Sequence, residues 1–453
     1  MSEKRSSFTG KIGFVLAAAG SAVGLGNIWR FPYLAAKYGG GIFLLVYIAL
    51  AVTFGFALMC AEIAIGRKTG LSAVKAFGAL NKKYSFIGWI ASVIPMIILP
   101  YYSVIGGWVT KYIAVFVTGK GKAAAADGFF GGFIGGKFDP IVWFFVFAAL
   151  TALIVLFGVE KGIEKVSKWM MPALVVLILG IAVYTLFMPD ALKGLVYYIK
   201  PNFADFNFKT VLAAMGQLFY SMSLAMGIMI TYGSYMKKDI SIESSVRNIE
   251  IFDTCIAFLA GLMVVPAVFA FSGGDPNQLQ KGATLMFDTL PKVFKTMPAG
   301  NIIGAVFFIM VFFAALTSSI SLMETIVSII CDKTGLGRKA VCLIVFIGVM
   351  LLGLLPCLGY GPLASITIIG MSFLDFFDFI SNSVLMPIVA FLTCIFIGYI
   401  IKPKSLIDEI ELNGRFKGKK IFNIMIKYIA PVFIIVILIF AIAETFGIGG
   451  FKI

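Results

Sequence analysis

Residues 20–33, GSAVGLGNIWRFPY, contain polar side chains and several glycines inside a stretch that is otherwise apolar enough to span a membrane. Gly20, Gly24 and Gly26 crowd its centre, and Pro32 follows. Because glycine is a poor helix former and proline lacks a backbone N–H, we expect a helix to break here. A break at bilayer depth is tolerated only inside protein or around a cavity. The stretch therefore predicts a binding site in mid-membrane, and the alternative is a kinked helix that packs through its Gly20-xxx-Gly24 face.

The composition is typical of a membrane protein with many spans. The 453 residues are 60% hydrophobic and 13% charged, with a mean hydropathy of +1.01, which no soluble fold of this size requires. The net charge of +15 comes from Lys and Arg in short loops between apolar segments, so it does not indicate nucleic-acid binding. The six cysteines form no CxxC pair, which argues against a disulfide framework or a zinc site. Histidine is absent, which removes the usual proton relay and metal ligand.

Apolar segments of about 20 residues or more predict eleven membrane-spanning helices. They lie near residues 12–36, 41–66, 85–117, 140–158, 166–187, 210–236, 246–272, 299–331, 338–356, 366–400 and 421–446. The polar, basic N-terminus is not expected to be a cleaved signal peptide. Lys and Arg are about twice as frequent in the loops on the N-terminal side of the membrane as in the opposite loops. The positive-inside rule therefore predicts a cytoplasmic N-terminus and an external C-terminus.

A second interrupted segment, GQLFYSMSLAMG at residues 216–227, lies in the middle of the predicted span 210–236. That span opens a second group of five, as the span containing residues 20–33 opens the first. Two interrupted helices at corresponding positions predict an inverted repeat with its site at the repeat interface. We therefore expect one integral membrane domain, with repeats at 1–200 (helices 1–5) and 201–405 (helices 6–10) and an added helix in 406–453.

Several motifs resemble those of the neurotransmitter:sodium symporters. They are GSAVGLGNIWRFPY followed by Gly39-Gly40-Gly41, Glu62 with Gly66-Arg67, the pair Tyr101-Tyr102, GQLFYSMSLAMG, and ALTSSISL at 315–322. The chain is most similar to bacterial eleven-helix members that import hydrophobic and aromatic amino acids. The resemblance implies the fold of the bacterial leucine transporter, LeuT, an all-α membrane protein built as a 5+5 inverted repeat with an eleventh transmembrane helix. It also implies an amino-acid substrate and two Na⁺ ions at the unwound centres of helices 1 and 6.

The family pattern implies two Na⁺ sites built from oxygen ligands. The first would use the carbonyl of Ala22, the side-chain oxygen of Asn27, the carbonyl and hydroxyl of Ser221, and Asp253 at the predicted start of helix 7. The second would use the carbonyls of Gly20, Val23 and Ala314 with the hydroxyls of Thr317 and Ser318.

Asp253 departs from the family pattern, which often has Asn at this position. Chloride-dependent members hold chloride near the first sodium with Tyr, Gln, Ser and Asn groups, which Tyr47, Gln217 and Ser221 match in part. A carboxylate would replace the anion and repel it. Because Ala257 stands where some chloride-independent members carry Glu, Asp253 is the candidate for the compensating charge. We therefore expect chloride-independent transport, and the alternative is that Asp253 merely caps helix 7.

Gly24 stands where family members that carry monoamines have an Asp in helix 1. The first sodium then needs a carboxylate from the ligand, which favours an amino acid. By the family pattern, the amides of Leu25 and Gly26 and the hydroxyl of Tyr102 would hold that carboxylate. The carbonyls of Ala22, Tyr220 and Ser221, with Ser223 nearby, would hold the ammonium. The side chain would be enclosed by Ile98, Tyr220, Met226, Ser318 and Leu322, and since none of these is charged, we expect an apolar or aromatic cargo.

Charged residues inside spans need a partner or a role. The resemblance implies an outer gate in which Arg30 pairs with Asp378, above a lid formed by Tyr102 and Tyr220, with Asp375 as a second candidate acid. It implies an inner gate in which Arg5 pairs with Asp332 and Phe8 packs near Ser234 and Tyr235. Glu62 is expected to brace the broken backbone of helix 6. The pattern Gly162-x9-Pro172 resembles a motif at which helix 5 of the family unwinds, and the alternative is an ordinary proline in the first turns of a helix.

Together these features predict a sodium-coupled symporter of the bacterial inner membrane that imports a hydrophobic or aromatic L-amino acid by alternating access. No nucleic acid and no obligate protein partner are expected. The alternatives are a proton-coupled transporter with Asp253 as the proton carrier, a transport-inactive amino-acid sensor, and a membrane enzyme or channel. The sequence offers no nucleophile–base constellation for an enzyme.

Overall fold

The computed structural model describes residues 7–272 and 283–446. Over these residues the chain consists of helices joined by shorter connections. Within these ranges the β contacts are two isolated bridges, Gly40 with Pro201 and Ile368 with Met371. Arg5, the predicted partner of Asp332, lies outside the described residues.

Nine helices of the described chain are long and apolar enough to cross a bilayer. They are Gly41–Thr69, Lys82–Val117, Asp139–Leu156, Val159–Leu186, Ile242–Phe271, Gly300–Thr334, Arg338–Leu358, Phe373–Ile400 and Lys419–Ala443. Two further helical segments are interrupted, and the first of them is also long and apolar enough to span when its halves are joined. The first broken helix consists of Lys11–Ala22 and Gly26–Lys37, bent by 55°. The second broken helix consists of Phe208–Ser221 and Ile228–Ser234. The nine helices and the first broken helix match ten of the predicted spans, and the second broken helix lies at the position of the remaining one, 210–236.

The helices differ in how much protein surrounds them. In the most apolar part of Lys82–Val117, 78% of residues are buried, against 28% for Lys419–Ala443. The long helices Lys82–Val117 and Gly300–Thr334 pack against each other in the centre. The last helix is therefore peripheral, as expected for a helix outside the repeat. Shorter helices connect the spans: Ala73–Leu80, Gly121–Ala124, Phe129–Ile134, Ala191–Ile199, Leu290–Thr296 and Lys404–Ile410.

The helix Ile242–Ser272 begins earlier than the predicted span 246–272. Its first turns are polar, and Arg247 pairs with Glu243 one turn away at 2.8 Å, so hydropathy alone does not reveal them. Asp253 consequently lies well inside this helix rather than at its start. The interpretation of Asp253 as a helix cap is therefore wrong.

Both broken helices depart from helical geometry where the glycines and small residues lie. Val23 adopts an extended conformation (φ −76°, ψ 102°) directly after Ala22. In the second broken helix, Ser223, Ala225 and Gly227 have φ of 52°, 61° and 75°. The left-handed region costs a residue with a side chain about 1–2 kcal/mol, so the surrounding protein must hold Ser223 and Ala225 there.

Glu62 provides part of that support. Its carboxylate is buried in the helix Gly41–Thr69 and accepts a hydrogen bond from the backbone N–H of Ala225 at 2.7 Å. This is the brace that the sequence predicts. It pairs a backbone donor that the broken helix leaves without an intrahelical acceptor.

Replacing Glu62 with Ala should destabilise the protein by about 1–3 kcal/mol, because the buried N–H of Ala225 loses its acceptor. Glu62→Gln keeps an acceptor oxygen of the same reach and should lose clearly less. Thermal unfolding of both variants in detergent, with sodium present, measures the difference. Equal melting temperatures for wild type and Glu62→Ala would contradict the brace.

Two glycines bring the helix Gly41–Thr69 against the second half of the second broken helix. A Cβ at Gly66 would lie 1.9 Å from the carbonyl oxygen of Ile230, and a Cβ at Gly233 would lie 2.4 Å from that of Ile63. Both obstacles are backbone atoms that a rotamer change cannot move. The close approach therefore requires glycine on both helices, as in other membrane helix pairs.

Gly66→Ala should lower the melting temperature and the yield of folded protein, since overpacking of this kind costs about 1–3 kcal/mol. The matched control is Gly180→Ala, where an added Cβ meets no described atom within 4 Å. That control should be neutral or slightly stabilising, because Ala favours helix over Gly. A Gly66→Ala protein as stable as the control would contradict the packing argument.

Candidate substrate and ion site

A small, partly open cavity lies between the two helix breaks. Its lining is Ser21, Ala22, Gly24, Leu25, Gly26, Asn27, Ile98, Tyr102, Tyr220, Ser221, Ser223, Met226, Ile228, Ser318 and Leu322. All eleven residues predicted to contact the substrate are in this set. Their binding roles stay predictions, but the fold brings them to one place from four different spans.

One side of the cavity offers polar backbone and hydroxyl groups. The N–H of Leu25 donates to the hydroxyl oxygen of Tyr102 at 3.4 Å, a long hydrogen bond. The N–H of Gly24 donates to Oδ1 of Asn27 at 3.1 Å. These N–H groups belong to the unwound turn that precedes the half-helix Gly26–Lys37, where the helix dipole is positive. A carboxylate could take the place of the Tyr102 contact without leaving the amide unpaired.

The opposite side is apolar. Ile98, Met226 and Leu322 are each at most 4% exposed, and the ring of Tyr220 closes the cavity over Gly26. A Cβ at Gly26 would lie 2.4 Å from this ring. Among the described lining residues, none has a charged side chain. The cavity is therefore suited to a ligand with a polar end and an apolar side chain.

The sequence reasoning missed two lining residues, Ser21 and Ile228. The hydroxyl of Ser21 donates to Oγ of Ser223 at 3.1 Å, and the hydroxyl of Ser223 donates to the carbonyl of Ser21 at 2.9 Å. This reciprocal pair joins the two breaks. A polar side chain in an apolar stretch could have indicated Ser21 as a lining residue. Ile228 is an apolar residue after the second break, and nothing in the sequence distinguishes it.

The predicted first sodium site centres on Asp253, which is fully buried. Its Oδ1 accepts hydrogen bonds from Ser221 Oγ at 2.7 Å and from Asn27 Nδ2 at 2.8 Å, and its Oδ2 accepts one from Tyr47 at 3.0 Å. Asn27 thus presents its NH₂ group to Asp253, while its oxygen faces Gly24. That oxygen retains a second lone pair for a cation. Three spans converge here on one carboxylate.

Residues of the predicted second sodium site also converge. Ser318 Oγ lies 3.3 Å from the carbonyl oxygen of Gly20 and 3.2 Å from that of Val23. The hydroxyl of Thr317 donates within its own helix, to the carbonyls of Phe313 at 2.9 Å and Ala314 at 3.1 Å. Such neutral oxygen atoms suit a monovalent hard cation. In the described residues no three His, Cys, Asp or Glu side chains come together as transition-metal ligands would.

The predicted outer pair differs from the structure. The described residues contain no direct ion pair between Arg30 and Asp378. Asp378 instead accepts hydrogen bonds from the hydroxyl of Tyr101 at 3.1 Å and from Asn382 at 2.6 Å. The guanidinium of Arg30 lies 5.5 Å from the ring centroid of Tyr220, within cation–π distance. Asn382 lies one turn further along the same helix as Asp378, and Tyr101 comes from the helix Lys82–Val117.

At the opposite end of the bundle, Phe8 is fully buried. Its ring lies 5.6 Å from that of Tyr232 and 6.2 Å from that of Tyr235, and its N–H donates to the carbonyl of Tyr235 at 3.2 Å. Phe8 therefore packs at Tyr235 as the sequence predicts. Asp332 accepts a hydrogen bond from the N–H of Ser72 at 2.8 Å.

The Gly162-x9-Pro172 pattern falls at the start of the helix Val159–Leu186. Gly162 lies in a π-type turn, Val159–Glu164, and Pro172 lies inside the helix that follows. A Cβ at Gly162 would lie 2.2 Å from the carbonyl oxygen of Ile154. This segment is wound in the structure, and its unwinding stays a prediction.

Comparison with known proteins identifies the family of this chain. The model of the Sodium:neurotransmitter symporter family matches residues 5–121 and 137–449. The chain is 37% identical over 446 residues to an uncharacterized sodium-dependent transporter, YhdH, of Bacillus subtilis, covering 96% of this chain and 98% of that one. It is 32% identical over 467 residues to an uncharacterized sodium-dependent transporter of Methanocaldococcus jannaschii, covering 99% and 93%.

Among solved structures, the LeuT-fold transporter MhsT in complex with L-phenylalanine superposes with a TM-score of 0.87. It is 36% identical to this chain, and the match covers 96% of this chain and 99% of MhsT. The broken helices, the cavity between them and these likenesses agree on one family and one fold. The chain belongs to the sodium:neurotransmitter symporter family and is a multi-pass, sodium-dependent transporter of the LeuT fold rather than an enzyme.

Proposed function

We propose that this protein imports an apolar or aromatic L-amino acid together with sodium by alternating access, without a requirement for chloride. The observation that carries the proposal is the cavity between the two helix breaks. It joins backbone amides and hydroxyls at one end to Ile98, Met226 and Leu322 at the other. A zwitterion with an apolar side chain matches this division, and L-phenylalanine, the ligand of MhsT, is the first candidate.

The absence of a side chain at Gly24 supports an amino acid over a monoamine. A cation at the first sodium site then receives one carboxylate from the protein, Asp253, and one from the ligand. A Cβ at Gly24 would lie 2.8 Å from Oγ of Ser318, so a protein carboxylate at this position has little space. The ligand's own carboxylate therefore completes the site, and this couples substrate binding to sodium.

The charge of Asp253 supports independence from chloride. Tyr47 and Ser221, which would otherwise face an anion, donate hydrogen bonds to its carboxylate. An anion beside this buried carboxylate would be repelled in a region of low dielectric constant. Two sodium sites, Ala22/Asn27/Ser221/Asp253 and Gly20/Val23/Ala314/Thr317/Ser318, give an expected stoichiometry of two ions per substrate.

We place the protein in the bacterial inner membrane, and the distribution of Lys and Arg supports a cytoplasmic N-terminus. The end of the bundle at Phe8 then faces the cytoplasm, and the end at Arg30 and Asp378 faces outward. Arg30 and Asp378 would act at the outer gate through Tyr220 and Tyr101. Arg5 and Asp332 would act at the inner one.

Uptake into proteoliposomes tests the proposal. Vesicles loaded with potassium should accumulate radiolabelled L-phenylalanine when sodium gluconate is added outside at equal pH. Replacing external sodium with potassium should abolish the accumulation. Uptake driven only by an inward proton gradient would favour the proton-coupled alternative with Asp253 as carrier. Sodium-dependent binding without uptake would favour the sensor, and currents that do not saturate with substrate would favour a channel.

A further inference from the structure

The segment that precedes the first broken helix closes one end of the bundle. Phe8 inserts its ring among those of Phe14, Tyr232 and Tyr235, with centroids 5.6, 5.6 and 6.2 Å away. Its N–H donates to the carbonyl of Tyr235. The N-terminal segment therefore cannot detach from the second broken helix unless Phe8 leaves Tyr232 and Tyr235.

The next residue, Thr9, is held by Glu164 of the helix Val159–Leu186. The N–H of Thr9 donates to Oε2 of Glu164 at 2.8 Å, and its hydroxyl donates to Oε1. Lys168 pairs with the same carboxylate at 2.6 Å, and Lys237 donates to the carbonyl of Thr9 at 2.9 Å. The side chain of Glu164 is only 2% exposed. Hydrogen bonds to a buried carboxylate are among the stronger ones in proteins.

Gly13 provides the space that this carboxylate occupies. A Cβ at Gly13 would lie 2.1 Å from Oε1 of Glu164 and 2.3 Å from its Cδ. Glu164 therefore contacts the segment before the first broken helix and the first turn of that helix at once. It also lies in the π-type turn Val159–Glu164, so the contact joins this turn to the N-terminal segment.

We propose that Glu164 is a positioning residue for transport that holds Thr9 and Gly13 against the helix Val159–Leu186 and so favours the state in which Phe8 closes this end. Glu164 lines neither the cavity nor the ion sites and acts through Thr9 and Phe8. Weakening its hydrogen bonds shifts the equilibrium toward states in which the segment is detached. The inference rests on the proposed transport cycle only for its effect on uptake, because the shift itself is measurable without cargo.

Hydrogen–deuterium exchange on the full-length protein in sodium chloride, without amino acid, tests the inference. Glu164→Gln and Gly13→Ala should each raise amide exchange about tenfold in residues 7–20 and 159–168. The matched control is Glu160→Gln, an exposed residue of the same turn, which should leave exchange unchanged. Unchanged exchange in Glu164→Gln would overturn the inference, as would an equal rise in Glu160→Gln. A rise that extended to Gly300–Thr334 would indicate general destabilisation and would also overturn it.

Uptake provides a second and separable measurement. In Glu164→Gln, the KM for sodium-driven L-phenylalanine uptake should rise about three- to tenfold, because the binding-competent state is less populated. An unchanged KM alongside raised exchange would contradict the proposed link to transport. If wild-type protein takes up no amino acid, the proposed function fails, while the exchange result still decides the role of Glu164 in closure.

Discussion

Asp253→Asn should abolish most sodium-driven uptake in chloride-free buffer and restore part of it when chloride is added. The substitution removes the charge on which Tyr47, Ser221 and Asn27 converge within 2.7–3.0 Å. The side-chain amide of the new Asn can offer these three donors only one neutral oxygen, and its NH₂ group is itself a donor. We expect uptake to fall about 100-fold, which corresponds to a loss of about 2.7 kcal/mol.

Chloride should recover about tenfold of this activity, because Tyr47, Ser221 and the new amide can donate to an anion that supplies the missing charge. The matched control is Glu250→Gln, which neutralises another buried carboxyl group one turn earlier on the same helix. It should create no chloride dependence. If chloride changes Asp253→Asn and Glu250→Gln equally, or leaves Asp253→Asn inactive, charge substitution at this site is refuted.

Gly24→Ala should reduce sodium-dependent binding of L-phenylalanine at least about 100-fold. The added Cβ would lie 2.8 Å from Oγ of Ser318 and 3.1 Å from the hydroxyl of Tyr102. It would displace the Tyr102 hydroxyl, which is proposed to hold the substrate carboxylate. It would also displace the Ser318 hydroxyl, which belongs to the predicted second sodium site. Loss at both sites is why we expect a larger effect than from an ordinary small overpacking, which costs about 1–3 kcal/mol.

Gly216→Ala is the control for this substitution. Gly216 lies in Phe208–Ser221, and an added Cβ there meets no described atom within 4 Å. Binding measured by equilibrium dialysis, with melting temperatures of both variants, separates a lost site from lost folding. A stable Gly24→Ala protein that binds L-phenylalanine as wild type does would show that the ligand does not occupy this cavity.

The fold followed from the sequence because each span carries its own signal. The hydropathy of the apolar segments and the glycines of residues 20–33 are local properties, and the structure confirms ten of the predicted spans and both breaks. The role of Glu62 could also be predicted from the sequence, because a carboxylate inside a span requires a partner. The cavity residues could be named together only through the resemblance to a family, since they come from spans distant in the chain.

Other features depend on tertiary contacts that no local pattern records. Hydropathy places Asp253 near a helix start, because the polar first turns of Ile242–Ser272 hide the true beginning of that helix. The resemblance pairs Asp378 with Arg30, whereas in the structure Tyr101 from a distant span and Asn382 from the next turn donate to its carboxylate. The π-type turns, such as Val159–Glu164 and Phe379–Leu385, insert a residue under packing constraints and have no clear signature in residue type.

Thermal unfolding of the purified protein with each of the twenty amino acids, in sodium, lithium or potassium chloride, tests the central claim most directly. A ligand at about 100 times its Kd should stabilise the protein by about 2.7 kcal/mol. We predict this stabilisation in sodium only, for apolar and aromatic L-amino acids, and none for charged ones. Equal stabilisation in potassium, or stabilisation restricted to charged amino acids, would contradict a sodium-completed site with an apolar wall.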